Sequence, residues 1–194
     1  PCLTVNGAYH KASNGDTIHV APSLSYGDQI LTAHSNTDYI YVVATGGSGS
    51  VKFNDWIENG AAYLDFTDLD TGSYNLWGSS HHIIHRNCNF TVWFGVTGGH
   101  DVSWIGGSIG DLHNTHPQIA PAAGWGSNGV NFTFDGVLFH DVTRDADQHV
   151  ECLQVAGTTN LVIRNSRFTN CAVFDLSLTN YNGAGKVINP LIEN

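Results

Sequence analysis

The sequence predicts an all-β solenoid, a parallel β-helix in which each coil supplies three short strands. Three observations point there: a composition rich in turn residues, a weak internal repeat, and period-two alternation inside the repeated segments. Of 194 residues, 22 are Gly, only 12% are charged, and Ser, Thr and Asn abound. So few strong helix formers exclude a helical bundle. A hydrophobic fraction of 41%, with 5 Trp, 7 Tyr and 9 Phe, excludes wholesale disorder. The length suits one domain.

The repeat aligns Ile83–Phe90, Val102–Ile109, Phe132–Phe139 and Leu161–Phe168 in one frame, which Pro190–Asn194 begins again. Its pivots are Asn87, Gly106, Gly136, Asn165 and Asn194, at separations of 19, 30, 29 and 29 residues. Asn and Gly enter the left-handed backbone region at low cost, so each pivot is a predicted sharp bend between two short strands. Within a strand, Leu161 and Ile163 share one face while Val162 and Arg164 share the other. The same parity turns His85 inward beside Ile83. A third run closes each coil, with Leu153 and Val155 in one unit and Phe174, Leu176 and Leu178 in the next. Such units cannot bury an apolar face alone and must stack. An antiparallel sandwich also has many short strands, but it does not explain the common frame.

The units Leu161–Leu178 and Phe132–Val142, with the early segment Ala12–Tyr26, resemble right-handed parallel β-helix proteins of the pectate-lyase-like superfamily. Ala12–Tyr26 carries the Gly-Asp-Thr-Ile opening of the first coil found in that group, at residues 15–18. The stretches His149–Gly157 and Asn160–Leu176 resemble secreted, mostly uncharacterised bacterial members. On this resemblance, residues 1–14 form an N-terminal cap region and 15–194 the β-helix. About seven coils are expected, at 15–37, 38–60, 61–80, 81–99, 100–129, 130–159 and 160–186, with 187–194 starting another in mid-coil. An open coil end exposes strand edges. The expectation is therefore that the natural chain continues or that a partner stacks on this end.

Lys and Arg number 7 against 17 Asp and Glu, a net charge of -10, which argues against a nucleic-acid partner. No segment approaches the roughly 20 apolar residues that span a bilayer, so no membrane insertion is expected. The chain starts at Pro1 and contains no Met, which suggests a processed or trimmed start. Low Lys content and abundant Asn, Gly, Ser and Thr suit a secreted, extracellular protein. Cys2, Cys88, Cys152 and Cys171 show no CxxC spacing, leaving open one or two disulfides or four free thiols. Asn89 and Asn131 sit in N-glycosylation patterns, which recur often by chance.

Chemistry concentrates in two long insertions, one after Gly110 and one after Phe139. The 30-residue offset places Asp111 and Asp141 at equivalent positions of neighbouring coils, about 4.8 Å apart. Carboxylates that close raise one pKa or share a cation. The candidate catalytic residues are Asp111, Asp141, Arg144 and His140. Asp111, Asp141, Asp145 and Asp147 are candidate ligands for Ca2+, the possible cofactor. His113, His149, Glu151, Gln154 and Trp125 are candidate substrate-binding residues, with Trp77 and Trp93 as further stacking rings. His113 and His116, with His140 and His149, form a candidate transition-metal set. Parity also predicts an outward polar row of Cys152, Gln154, Asp175 and Ser177.

The expected function is that of a secreted carbohydrate-active protein, lyase-like or glycoside hydrolase-like, on an extracellular polysaccharide or other glycan. Only Arg144 is basic in the candidate region, and the family's polygalacturonase pattern of clustered aspartates with Gly-His-Gly is absent. The alternative is a non-catalytic β-solenoid that binds glycans or self-assembles as a surface or fibre component. A turn role, with side chains satisfying backbone N–H groups, competes for every Asp in these loops.

Overall fold

A computed structural model describes residues 2–115, 117–119, 129–180 and 185–194. The protein is all-β, with 62% strand and 3% helix, built as one large parallel sheet that is not closed. The short helix α1 (Val5–Tyr9) comes first, followed by β1 (Thr17–Val20), β2 (Ser23–Tyr26), β3 (Gln29–Thr32), β4 (Ile40–Ala44), β5 (Val51–Asn59) and β6 (Ala62–Thr67). The long strands β7 (Asp70–Arg86) and β8 (Asn89–Ile105) precede β9 (Ser108–His113), β10 (Gln118–Ile119), β11 (Gly129–Asp135) and β12 (Leu138–Thr143). The chain continues through β13 (Leu153–Ala156), β14 (Thr158–Arg164), β15 (Arg167–Cys171), β16 (Leu176–Thr179) and β17 (Leu191–Glu193).

Successive levels of chain stack through parallel pairing along three ladders. The first runs through β1, β4, β6, the C-terminal part of β7, the C-terminal part of β8, β11, β14 and β17. The second takes in β9, β12 and β15. The third takes in β3, the end of β5, the middle of β7 and β8, then β10, β13 and β16.

Register turns the alternation into columns of buried side chains. In the first ladder Leu64, Ile83, Val102, Phe132 and Leu161 are register partners. So are Phe66, His85, Trp104, Phe134 and Ile163, one pleat on. The rings of the second column stack: Phe66 on His85 at 5.0 Å, His85 on Trp104 at 6.0 Å, and Trp104 on Phe134 at 4.6 Å. Each buried ring contributes on the order of 1.5–3 kcal/mol by leaving water.

The bends fall where the repeat places them. Asn87, Gly106, Gly136 and Asn165 have φ of 51°, 65°, 69° and 50°. Asp68, at 61°, extends the series one level further back. At each bend the pivot's N–H donates across to the carbonyl just before the next pivot: Asp68 to Arg86, Asn87 to Ile105, Gly106 to Asp135, Gly136 to Arg164. After one of these bends a Cβ on Gly107 would lie 2.1 Å from the Cys88 carbonyl oxygen, so only Gly fits there.

Three predicted placements differ. Cys152 is buried and joined to Cys171 in a disulfide, so it does not face outward. Gln154 is 7% exposed because all four residues of β13 are covered, on the outer face as well as the inner. Leu178, expected inward, is 42% exposed; among the described residues β16 pairs on one side, with β13. Of the other cysteines, Cys2 is exposed and Cys88 is buried, where burial pushes its thiol up to about 12.

An ionisable cluster also sits inside the stack. Glu58 is fully buried. Trp56 Nε1 donates to Glu58 Oε1 at 3.0 Å and the Tyr74 hydroxyl to Oε2 at 2.8 Å. His85 Nε2 lies 3.2 Å from Glu58 Oε1 and 3.2 Å from the Tyr74 hydroxyl. Burial, reinforced by the Glu58 charge, holds the Tyr74 hydroxyl well above its usual titration range. A buried carboxylate is tolerable only with such partners. His85→Phe keeps a ring in the aromatic column but removes one partner of Glu58. It is expected to lower the unfolding free energy by about 1–3 kcal/mol in chemical denaturation. An unchanged midpoint would show that the ring's packing, not its nitrogen, matters there.

Candidate functional site

Asp111 and Asp141 do come together. β9 and β12 pair with His140 opposite Gly110 and Val142 opposite Leu112, which sets the two aspartates side by side. Ligand atoms of Asp111, His140 and Asp141 all lie within 4.8 Å of one another. Both aspartates occupy left-handed positions, with φ of 57° and 50°. Asp and Asn adopt this conformation more readily than other non-glycine residues. The same register brings in Asn170, with φ of 54°, from β15. Its side-chain amide donates to Asp141 Oδ1 at 2.6 Å, while His140 Nδ1 lies 2.8 Å from Asp141 Oδ2. Sequence reasoning missed Asn170, although the 29-residue offset from Gly136 to Asn165 also relates Asp141 to Asn170.

The hydrogen bonds from Asn170, then from His140, hold the Asp141 carboxyl below the usual aspartate range. Asp141 is thus held as a carboxylate, suited to face a cation and unsuited to donate a proton.

The other predicted residues divide into neighbouring groups. His113, Asn114, Thr143 and Asp145 form a second surface set. His113 Nδ1 lies 3.0 Å from Thr143 Oγ1, and Asn114 donates to Asp145 Oδ2 at 2.7 Å while its Oδ1 accepts from the Asp145 N–H at 2.7 Å. Asp145 is thereby tied to Asn114 rather than to the Asp111–Asp141 pair. Arg144 donates to the Gln148 carbonyl at 2.5 Å, and Asp147 is exposed on the same loop. His149, exposed, reaches the fully buried Glu151 at 2.7 Å. Gln154 lies between its register partners Gln118 and Ser177. Trp77 is 41% exposed, and Trp93 donates to Asn75 Oδ1 at 2.9 Å. Trp125 and His116 lie outside the described residues.

Among the described residues only two groups of three or more side chains gather in a geometry able to hold a metal ion. One is the Asp111 set; the other is His82, His100 and Asp101. Of the predicted set His113, His116, His140 and His149, His116 lies outside the described residues, and the other three each meet a different partner: Thr143, Asp141 and Glu151. For Ca2+, two adjacent carboxylates are suitable hard oxygen donors, but that ion takes 6–8 oxygens. Asp111 and Asp141 fit it as a partial shell that water or ligand oxygens complete. Two cavities of about 270 and 280 Å3 lie elsewhere, one between α1 and the β1–β3 segment, the other between β16 and Pro190.

Comparison with protein-family models, with curated proteins and with solved structures finds no significant match to this chain.

The hydrogen-bond account of Asp141 is open to a direct check. Its folded-state pKa lies below the ordinary value of 3.8, so its favourable contribution is present above that value and fades as pH falls through the folded pKa. Asn170→Ala removes the larger of the two causes. The Asp141 carboxyl midpoint, followed by carbon-detected NMR, is expected to rise toward 3.8.

Proposed function

We propose that the chain is a secreted, carbohydrate-active, right-handed parallel β-helix of the pectate-lyase-like kind, about seven coils long, acting on an extracellular polysaccharide. Residues 1–14 serve as its N-terminal cap. The parallel ladders and their left-handed bends support the architecture. The Cys152–Cys171 disulfide supports an oxidising, extracellular setting.

The observation that carries the functional reading is the convergence of Asp111, His140 and Asp141 on adjacent levels. Asp141, its carboxyl held below the usual range by Asn170 and His140, suits a cation ligand. His140, hydrogen-bonded to Asp141, adds an imidazole nitrogen to the set. A Ca2+ ion held by Asp111 and Asp141 would offer a positive centre to glycan oxygens, which matters for a chain whose net charge is -10. The lowered pKa of Asp141 favours cation-assisted binding over an acid/base pair that needs one raised carboxyl.

A panel of neutral and anionic polysaccharides, assayed with and without Ca2+ for new reducing ends and for unsaturated products, tests this. Asp111→Asn and Asp141→Asn keep residues suited to the left-handed backbone and are each expected to lower turnover by about 10²–10⁴-fold. Absence of cleavage and of glycan binding across the panel would overturn the reading. Binding that persists in both variants without turnover would move the chain to the non-catalytic class.

A second reading, a self-assembling solenoid, has its own observation. Ile188, Leu191 and Ile192 are each about half exposed, and among the described residues β17 pairs with β14 alone. Leu191→Lys is expected to abolish concentration-dependent growth in light scattering if that edge drives assembly.

A further inference from the structure

The second metal-competent group lies at a different corner, on the first ladder. β6, β7 and β8 pair there with Ala62, His81 and His100 in register, followed one pleat on by Leu64, Ile83 and Val102. Between these partners sit Tyr63, His82 and Asp101, all left-handed, with φ of 53°, 52° and 56°. The same corner continues through Asn131, Asn160 and Asn189, at 59°, 57° and 52°. Where later levels use Asn, which adopts this backbone cheaply, these two levels place a histidine and an aspartate.

We propose that His82, His100 and Asp101 bind a divalent transition metal such as Zn2+, with His81 orienting His82. Their ligand atoms lie within 4.8 Å of one another, half-buried at His82 and Asp101 and exposed at His100. Donors around a tetrahedral zinc stand about 3.3 Å apart, given metal–nitrogen distances of about 2.0–2.1 Å. Small side-chain rotations close that gap. Two imidazoles and one carboxylate suit zinc, copper or nickel better than calcium.

The supports of a metal site are present as well. His81 Nδ1 lies 2.8 Å from His82 Nδ1. The His81 ring stacks on His100 at 4.8 Å and 4°, and Tyr63 stacks on His82 at 4.6 Å. Asn131 donates to Asp101 Oδ1 at 2.7 Å, and His100 Nδ1 lies 2.7 Å from Asp101 Oδ2, a direct contact that a bound metal would replace by sitting between the two. Ligand rings are commonly fixed by such outer partners. Three protein donors leave a coordination position for water or a ligand.

The test is calorimetric titration of the chain with Zn2+, Ni2+ and Ca2+, together with Cu2+ electron paramagnetic resonance. One saturable Zn2+ site is expected, with nitrogen couplings in the copper spectrum. His82→Asn and Asp101→Asn adopt the residue that Asn131, Asn160 and Asn189 already place at this corner, so the backbone is retained. Each is expected to weaken zinc binding by about 10–100-fold. His100→Gln, at an exposed ring, gives a third arm with the same expectation, and Asp141→Asn should leave this site unchanged. No saturable zinc binding, or equal zinc affinity in wild type and the His82 and His100 variants, would overturn the proposal. So would a loss confined to Asp141→Asn, which would place the metal at the other corner.

Discussion

Parallel in-register stacking is the constraint on which everything else rests. Once one level pairs with the next, each residue inherits neighbours at a fixed offset. A side chain is then a member of a column before it is a member of a loop. Inward columns become continuous apolar and aromatic stacks, of which Phe66, His85, Trp104 and Phe134 are the clearest. Corner columns must all be left-handed together, because the pivot N–H of one level bonds the carbonyl before the pivot of the next. That requirement selects Asn, Asp and Gly, and it incidentally lines up polar side chains on the surface.

Both candidate sites are products of this corner chemistry. At one corner the column holds Asp111, Asp141 and Asn170; at another it holds Tyr63, His82, Asp101 and a run of asparagines. The asparagines act as hydrogen-bonding spacers. Asn160 donates to Asn131, and Asn131 donates to Asp101. A residue placed at a corner for its backbone tolerance is therefore also held rigidly by its column neighbours, which is a precondition for binding chemistry.

How much of this was legible depends on whether the information is local or relational. The pivots Asn87, Gly106, Gly136 and Asn165 were readable because an Asn or Gly at a fixed offset has one strong backbone meaning. The adjacency of Asp111 and Asp141 followed from the same offset. His82 and Asp101 are related by the 19 residues that separate Asn87 from Gly106, but they lie outside the two insertions where polar residues crowd. The Cys152–Cys171 pairing was not readable, since four cysteines offer six possible pairs and the choice depends on which ladders meet at an edge. The covering of Gln154 was hidden for a similar reason: parity says which way a side chain points, not whether chain lies over it. Glu58 was the deepest miss, because composition alone assigns a carboxylate to solvent.

Glu58 has a consequence for how the chain avoids folding one level out of step. Its column in the third ladder is otherwise apolar: Leu31 precedes it, and Leu76, Val96, Ile119 and Val155 come after. A repetitive stack with only such columns would tolerate slippage, since one aliphatic side chain substitutes readily for another. Displacing Glu58 by a single level would separate its carboxylate from Tyr74 and His85 on the next strand, leaving it only the Trp56 N–H of its own strand among hydrocarbons, at a cost of several kcal/mol. One charged group in the interior thus acts as an indexing pin, making a single alignment of the levels far more stable than its near-copies.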